Sequence, residues 1–207
     1  MTEESEVIEN EKQSVEHFNK RSLDGVNSGW GSVGAWAKLK RDMLWKVWPF
    51  ESMLDIGCGD MIYLSSFGPF VSNEFCYLGV DGSADIIRRA RKRRPDHNFR
   101  KLMISDLIKT DLNQNYEVIV CYGVLFHIVE DGLYTKLMDW LFNSSAKALA
   151  LTYLKVAEEG PRKGHFILRD FGKVSIPDTW ELEMEGDIGR KKRQKVAVFV
   201  RETMDKN

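Results

Sequence analysis

Apolar residues come along this chain in short blocks, parted by glycine, proline and acidic turns, and the spacing inside the blocks changes from one to the next. Between Ala35 and Trp48, the residues Trp36, Leu39, Met43, Leu44 and Val47 recur at helical intervals, and Pro49 ends the run. Met53–Ile56 is a short block of the kind that a strand buried on both faces requires. A short helix is expected over 61–70, stopped by Gly68-Pro69. Cys76–Val80 reads as a second strand closed by Asp81-Gly82-Ser83, with Ser83 able to cap a helix Ala84–Arg94 that Pro95 terminates. Further strands are expected at Phe99–Ile104, Tyr116–Cys121 and Lys147–Tyr153, with a helix over Leu133–Phe142 before the last. Trp180–Glu185 and Lys195–Arg201 alternate apolar and polar residues around Gly186–Arg193, which is the pattern of an antiparallel hairpin. Residues 1–16 are polar and glutamate-rich and are expected to be frayed or loosely helical. A glycine-rich loop lies over 25–34 and a glycine- and charge-rich connection over 155–178.

Strands alternating with helices predict an α/β fold: a Rossmann-like, doubly wound sheet, mostly parallel and closed by a C-terminal antiparallel β-hairpin. The expected division is 1–48, an acidic segment with a glycine-rich lid loop and a cap helix, and 49–207, the main domain. At 207 residues such a domain buries a sizeable core without disulfides or structural metal. The formal net charge of −1 removes any global attraction for nucleic acid or membrane. Cys58, Cys76 and Cys121 lack C-x-x-C spacing and read as buried, reduced thiols, so no metal is expected. With no long apolar run and no basic-then-apolar start, the expectation is a cytoplasmic protein that does not enter membranes. The oligomeric state is not legible.

Chemistry enters at the strand ends. Gly57 and Gly59 allow a tight turn and close approach of the backbone to a ligand. Asp55, Asp81 and Asp106 accompany three successive strands and should share the carboxyl edge of the sheet, where open α/β sheets bind ligands. Asp81, a little over 20 residues past the glycine turn, is placed to accept from ribose hydroxyls, and Asp106 could accept from the amine of an adenine. Asp60 directly after Gly59 would repel a pyrophosphate, so the site looks made for an adenosine without phosphates.

These residues resemble the class I S-adenosylmethionine-dependent methyltransferases over about residues 50–202. Leu54-Asp55-Ile56-Gly57-Cys58-Gly59-Asp60 is similar to the family's D-x-G-x-G cofactor motif, and Tyr77-Leu78-Gly79-Val80-Asp81 to its ribose-binding strand end. Ser105-Asp106-Leu107 is similar to the adenine-binding turn, Tyr116–Cys121 to the fourth strand, and Val124-Leu125-Phe126-His127-Ile128 to a run that commonly follows it. Many members carry a third glycine where this chain has Met61. A narrower group has "SGxGS" upstream, which Ser28-Gly29-Trp30-Gly31-Ser32 matches; there the loop covers the methionine end of the cofactor, with Trp30 excluding water. The resemblance implies S-adenosylmethionine as cofactor, bound by Trp30, Asp55, Gly57, Gly59, Asp60, Asp81, Gly82, Asp106, Leu107 and Tyr122.

For catalysis, His127 is the general-base candidate, and a structural or capping histidine is the competing reading. Tyr122 and Tyr153 could shape an acceptor pocket, and His17, His97 and His165 are weaker candidates. Basic runs at Arg88–Arg94 and Arg190–Lys195 read as a solvated helix face and a charged hairpin tip. The expected activity is methyl transfer to oxygen or nitrogen of a small-molecule acceptor, such as a sugar or other metabolite. The alternatives are an RNA methyltransferase, an NAD-dependent oxidoreductase, and a non-catalytic cofactor-binding protein.

Overall fold

A computed structural model describes residues 3–23, 33–65, 67, 75–156, 159–163, 165–188 and 193–202. The glycine-loop residues 28–32, including Trp30, the Gly68-Pro69 stop and the hairpin-tip residues 190–192 lie outside them.

The chain runs α1 (Glu3–Leu23), α2 (Gly34–Lys46), β1 (Ser52–Ile56), β2 (Cys76–Asp81), α3 (Ala84–Arg93), β3 (Asn98–Lys101), α4 (Ile104–Leu107) and β4 (Val118–Cys121). It continues through α5 (Asp131–Phe142), β5 (Ala148–Leu154), β6 (Gly160–Lys163), β7 (Phe166–Leu168), β8 (Trp180–Ile188) and β9 (Gln194–Arg201). Seven strands form one sheet in the order β3-β2-β1-β4-β5-β9-β8, with β1 at the point where the chain reverses its direction of travel across the sheet. The pairs β1–β2, β1–β4, β2–β3 and β4–β5 are parallel, while β9 is antiparallel to both β5 and β8. The mostly parallel, doubly wound sheet with a C-terminal hairpin is therefore present, and β8 runs parallel to β5 with β9 inserted between them.

Alternation along each strand divides the core. Met53, Val118, Val120 and Val198 pack with Met43 and Leu44 of α2 and Ile87 and Ala90 of α3 on one face. Leu54, Ile56, Ile119, Leu149 and Phe199 meet Leu137, Met138 and Leu141 of α5 on the other. Both faces being covered explains why β5 is buried at every position and why the central strands are mostly apolar.

Four expectations change, the burial of Cys76 among them. The start of the chain is a continuous 21-residue helix, because Val7, Val15 and Phe18 have a cavity to face that no local pattern announces. The third strand stops at Lys101; Leu102 makes the last bond to Asp81 O at 3.0 Å, and the chain then turns into the four-residue α4. The 155–178 connection holds a small antiparallel pair, β6–β7. Cys76 is exposed, whereas Cys58 and Cys121 are buried. Among the described residues no helix is long and apolar enough to cross a membrane.

Candidate cofactor and acceptor cavity

At the end of β1 the chain enters the left-handed region at Gly57 (φ 68°) and again at Gly59 (φ 59°). Gly57 and Cys58 both donate to Val80 O, at 2.8 and 3.0 Å, which clamps the turn to the end of β2. A Cβ at Gly57 would lie 2.2 Å from Val124 Cγ2, so the turn tolerates no side chain there. Met61, at the position of the absent third glycine, is left-handed as well (φ 65°) and is held there with its side chain fully buried.

Asp81 closes β2 and joins two loops: Oδ2 accepts from Gly59 N–H at 3.3 Å and Oδ1 from Ser83 N–H at 2.9 Å. Ser83 in turn caps α3 by accepting from Ile86 N–H. Burial pushes the Asp81 carboxyl up to about 6, against these two bonds. Asp81, Gly57, Gly59 and Gly82 all line a cavity of about 380 Å³ at the carboxyl edge of the sheet, a size within the usual range of small-molecule sites.

Asp55 sits behind this cavity. Its Oδ2 accepts from Tyr63 Oη (2.7 Å) and Tyr77 Oη (3.0 Å), while Oδ1 is buried without a partner. Burial raises its pKa to about 7, offset in part by the two phenols and by Lys40. Lys40, 5 % exposed, does line the cavity; its ammonium lies over the rings of Tyr63 and Tyr122 at 5.5 and 5.3 Å. Desolvation lowers its pKa to about 8. Among the described lining residues it is the one lysine or arginine. The sequence held a signal for it: Lys40 interrupts the apolar stripe of Trp36, Met43 and Leu44 at a core-facing position.

The other expected residues are spread more widely. Tyr122 lines the cavity and donates to Lys40 O at 3.2 Å. Asp60 is buried beside the loop, 3.7 Å from Arg93, and Leu107 is buried in the core; neither lines the cavity. Asp106 is 58 % exposed along its side chain and turns to Lys109 at 3.4 Å, outside the cavity wall. Tyr153 stacks on Phe171 and donates to Glu185, also outside. His97 is buried against Tyr77, away from the cavity.

The far end of the cavity is lined by imidazoles. His17 of α1 stacks on His165 at 3.7 Å between ring centroids, and His165 lies nearly parallel to His127 at 5.3 Å. His127 Nδ1 is 3.0 Å from the backbone carbonyl of His165. A carbonyl only accepts, so this contact places the proton on Nδ1 and the ring lone pair on Nε2. Phe18 meets His127 edge-on.

Helix α1 forms one side of the cavity. Ser14 Oγ donates to His127 O (3.3 Å), Asn10 donates to Glu130, and Ser83 Oγ donates to Asn19. Glu11 accepts from Ser105 N–H at 3.1 Å. None of these four α1 residues is a candidate that the sequence offers; His17 is the one on this helix that it does.

No protein-family model matches the chain, and no curated protein matches it. Solved structures do. The N-methyltransferase NodS from Bradyrhizobium japonicum WM9, in complex with S-adenosyl-L-homocysteine, superposes with a TM-score of 0.67 at 14 % identity, covering 92 % of this chain and 100 % of that one. Magnesium protoporphyrin IX methyltransferase (ChlM) from Synechocystis PCC 6803 with bound SAM gives 0.64 at 16 % identity, covering 93 % and 97 %. The methyltransferase domain of bacterial CtHen1-C gives 0.60 at 15 % identity, covering 81 % and 97 %.

Proposed function

We propose that this chain, whose fold is that of the class I S-adenosylmethionine-dependent methyltransferases, binds S-adenosylmethionine beside α1 and methylates an oxygen or nitrogen of a small-molecule acceptor. The observation that carries the reading is the clamp of the Gly57–Gly59 turn onto Asp81 at the cavity wall. A carboxylate partly neutralised by burial and already aligned by two backbone donors is suited to vicinal ribose hydroxyls, and the side-chain-free turn lets a ligand approach the backbone. Lys40 offers the cation for the cofactor's amino-acid carboxylate, held against two tyrosine faces. Asp55, behind it, orients Tyr63 and tunes Lys40 rather than touching the ligand.

When bound, the cofactor supplies an electrophilic methyl group on a sulfonium. The protein's share is alignment and removal of one proton. His127 is suited to the latter, since its Nδ1 contact leaves Nε2 as the basic atom. Trp36, Tyr122, Phe126 and the stacked His17 and His165 surround the acceptor with rings and limit water. The cavity, walled on one side by α1, favours a small acceptor over RNA, and α1 carries Glu6, Glu9 and Glu16 on its exposed side against Lys12 and Lys20.

The test is transfer of labelled methyl from S-adenosylmethionine into a cell extract separated into small molecules, RNA and protein. Label in the small-molecule fraction, lost in His127→Ala, is the expected result. Label in RNA would favour the rival acceptor, and cofactor binding without any transfer would leave a binding protein.

A further inference from the structure

The rings at the far end of the cavity mostly pack on one another. His17 lies on His165, Phe18 meets His127 edge-on, and Phe126 leans on Phe166. Trp36, in the first turn of α2, differs from them. It lines the cavity, half-buried, and makes no ring contact or hydrogen bond among the described residues. It stands one turn before Lys40 on the same side of the helix. With Lys40 holding the amino-acid carboxylate, Trp36 flanks the end of the cofactor that carries the methyl group.

The charges of the wall are already committed. Among the described lining residues the acids are Glu11, Asp81 and Glu130, and each accepts a hydrogen bond from within the protein: from Ser105, from Gly59 and Ser83, and from Asn10. The one lysine is assigned to the cofactor. An ammonium or a carboxylate on the acceptor therefore finds no spare counter-ion, whereas a flat, uncharged ring finds an indole to stack on. The base sets a second condition. An imidazole, ionising at about 6.5, takes a proton far more readily from a phenol, at about 10, than from an aliphatic hydroxyl, which ionises near the value of water, about 15.7.

We propose that the acceptor is a planar, uncharged phenol-type compound that stacks on Trp36 and gives its hydroxyl proton to Nε2 of His127. The phenolic oxygen forms the new bond to the methyl carbon, the electron pair of the broken C–S bond stays with sulfur, and the phenolic proton passes to the imidazole. This inference deepens the cofactor reading above and rests on it.

The full chain is assayed for transfer of labelled methyl from S-adenosylmethionine to three matched probes: 2-naphthol, its saturated counterpart decahydro-2-naphthol, and 2-(aminomethyl)naphthalene. The expected kcat/KM for 2-naphthol exceeds that for either of the others by at least about a hundredfold. Trp36→Ala should raise the KM for 2-naphthol about tenfold, with S-adenosylhomocysteine affinity, measured by calorimetry, held within about threefold. Trp36→Phe, which keeps an aromatic face, should recover most of that KM and keeps the test decisive if the alanine variant misfolds. No transfer to 2-naphthol by a chain that binds S-adenosylhomocysteine overturns the inference and leaves the cofactor reading standing. Comparable transfer to the saturated or the amine probe, or an unchanged KM in Trp36→Ala, overturns it likewise. Failure of the wild type to bind S-adenosylhomocysteine overturns both.

Discussion

Asp55 and Lys40 are ionisable groups held where water barely reaches, and burial moves each toward its neutral form. Asp55 has a pKa of about 7 in the folded protein against 3.8 for the free group. Between about pH 4 and 7 the folded state therefore holds more protons than the unfolded chain, and stability is lost as pH rises through that window. Lys40, lowered from 10.5 to about 8, acts in the opposite sense, adding stability as pH rises between those values. Asp55→Asn can still accept from Tyr63 and Tyr77 without the charge. Its urea midpoint should gain on that of the wild type between pH 5 and pH 7, and a gap that does not change with pH would show that Asp55 is ionised throughout. The residue scale is also where the sequence was least direct. Asp55 was legible as part of a motif, but not that two tyrosines would turn its carboxylate away from the cavity wall. Lys40 was visible only as a charge misplaced on an apolar stripe.

Among the elements, the seven strands of the main sheet and α2, α3 and α5 were legible to within a few residues, because each is set by local spacing and by a breaker such as Pro49 or Pro95. Helix α1 was not, since its sequence is polar and Asn10 is the one fully buried position among its described side chains. It is fastened by side-chain bonds to three separate parts of the cavity rim: Ser83, Ser105 and the His127–Glu130 segment. Such an element opens at little cost compared with the central strands. Hydrogen exchange should find the α1 amides unprotected relative to β1 and β4 in the free protein, and strongly protected once S-adenosylhomocysteine is present. Exchange in α1 indifferent to the ligand would remove it from the binding site. The β6–β7 pair is not legible in the sequence for a related reason: it is short, and its place is set by the contact of His165 O with His127.

For the whole molecule, strand order decides where a ligand can sit. With β1 between β2 and β4, the loops leaving β1 and β4 part in opposite directions and leave a crevice at the carboxyl edge, with Asp81 on the neighbouring β2. That architecture alone would admit several nucleotides, and the neighbours at 14–16 % identity share the fold rather than a substrate. What narrows the choice is the lining: Asp81 faces the cavity, Lys40 is its lysine, and buried Asp60 backs the turn where a pyrophosphate would lie. Calorimetric titration with S-adenosylhomocysteine and, separately, with NAD tests this most directly. Saturable binding of S-adenosylhomocysteine is expected, weakened by about 1.5–3 kcal/mol in Asp81→Ala, with no heat from NAD. Binding of NAD without binding of S-adenosylhomocysteine would contradict the account.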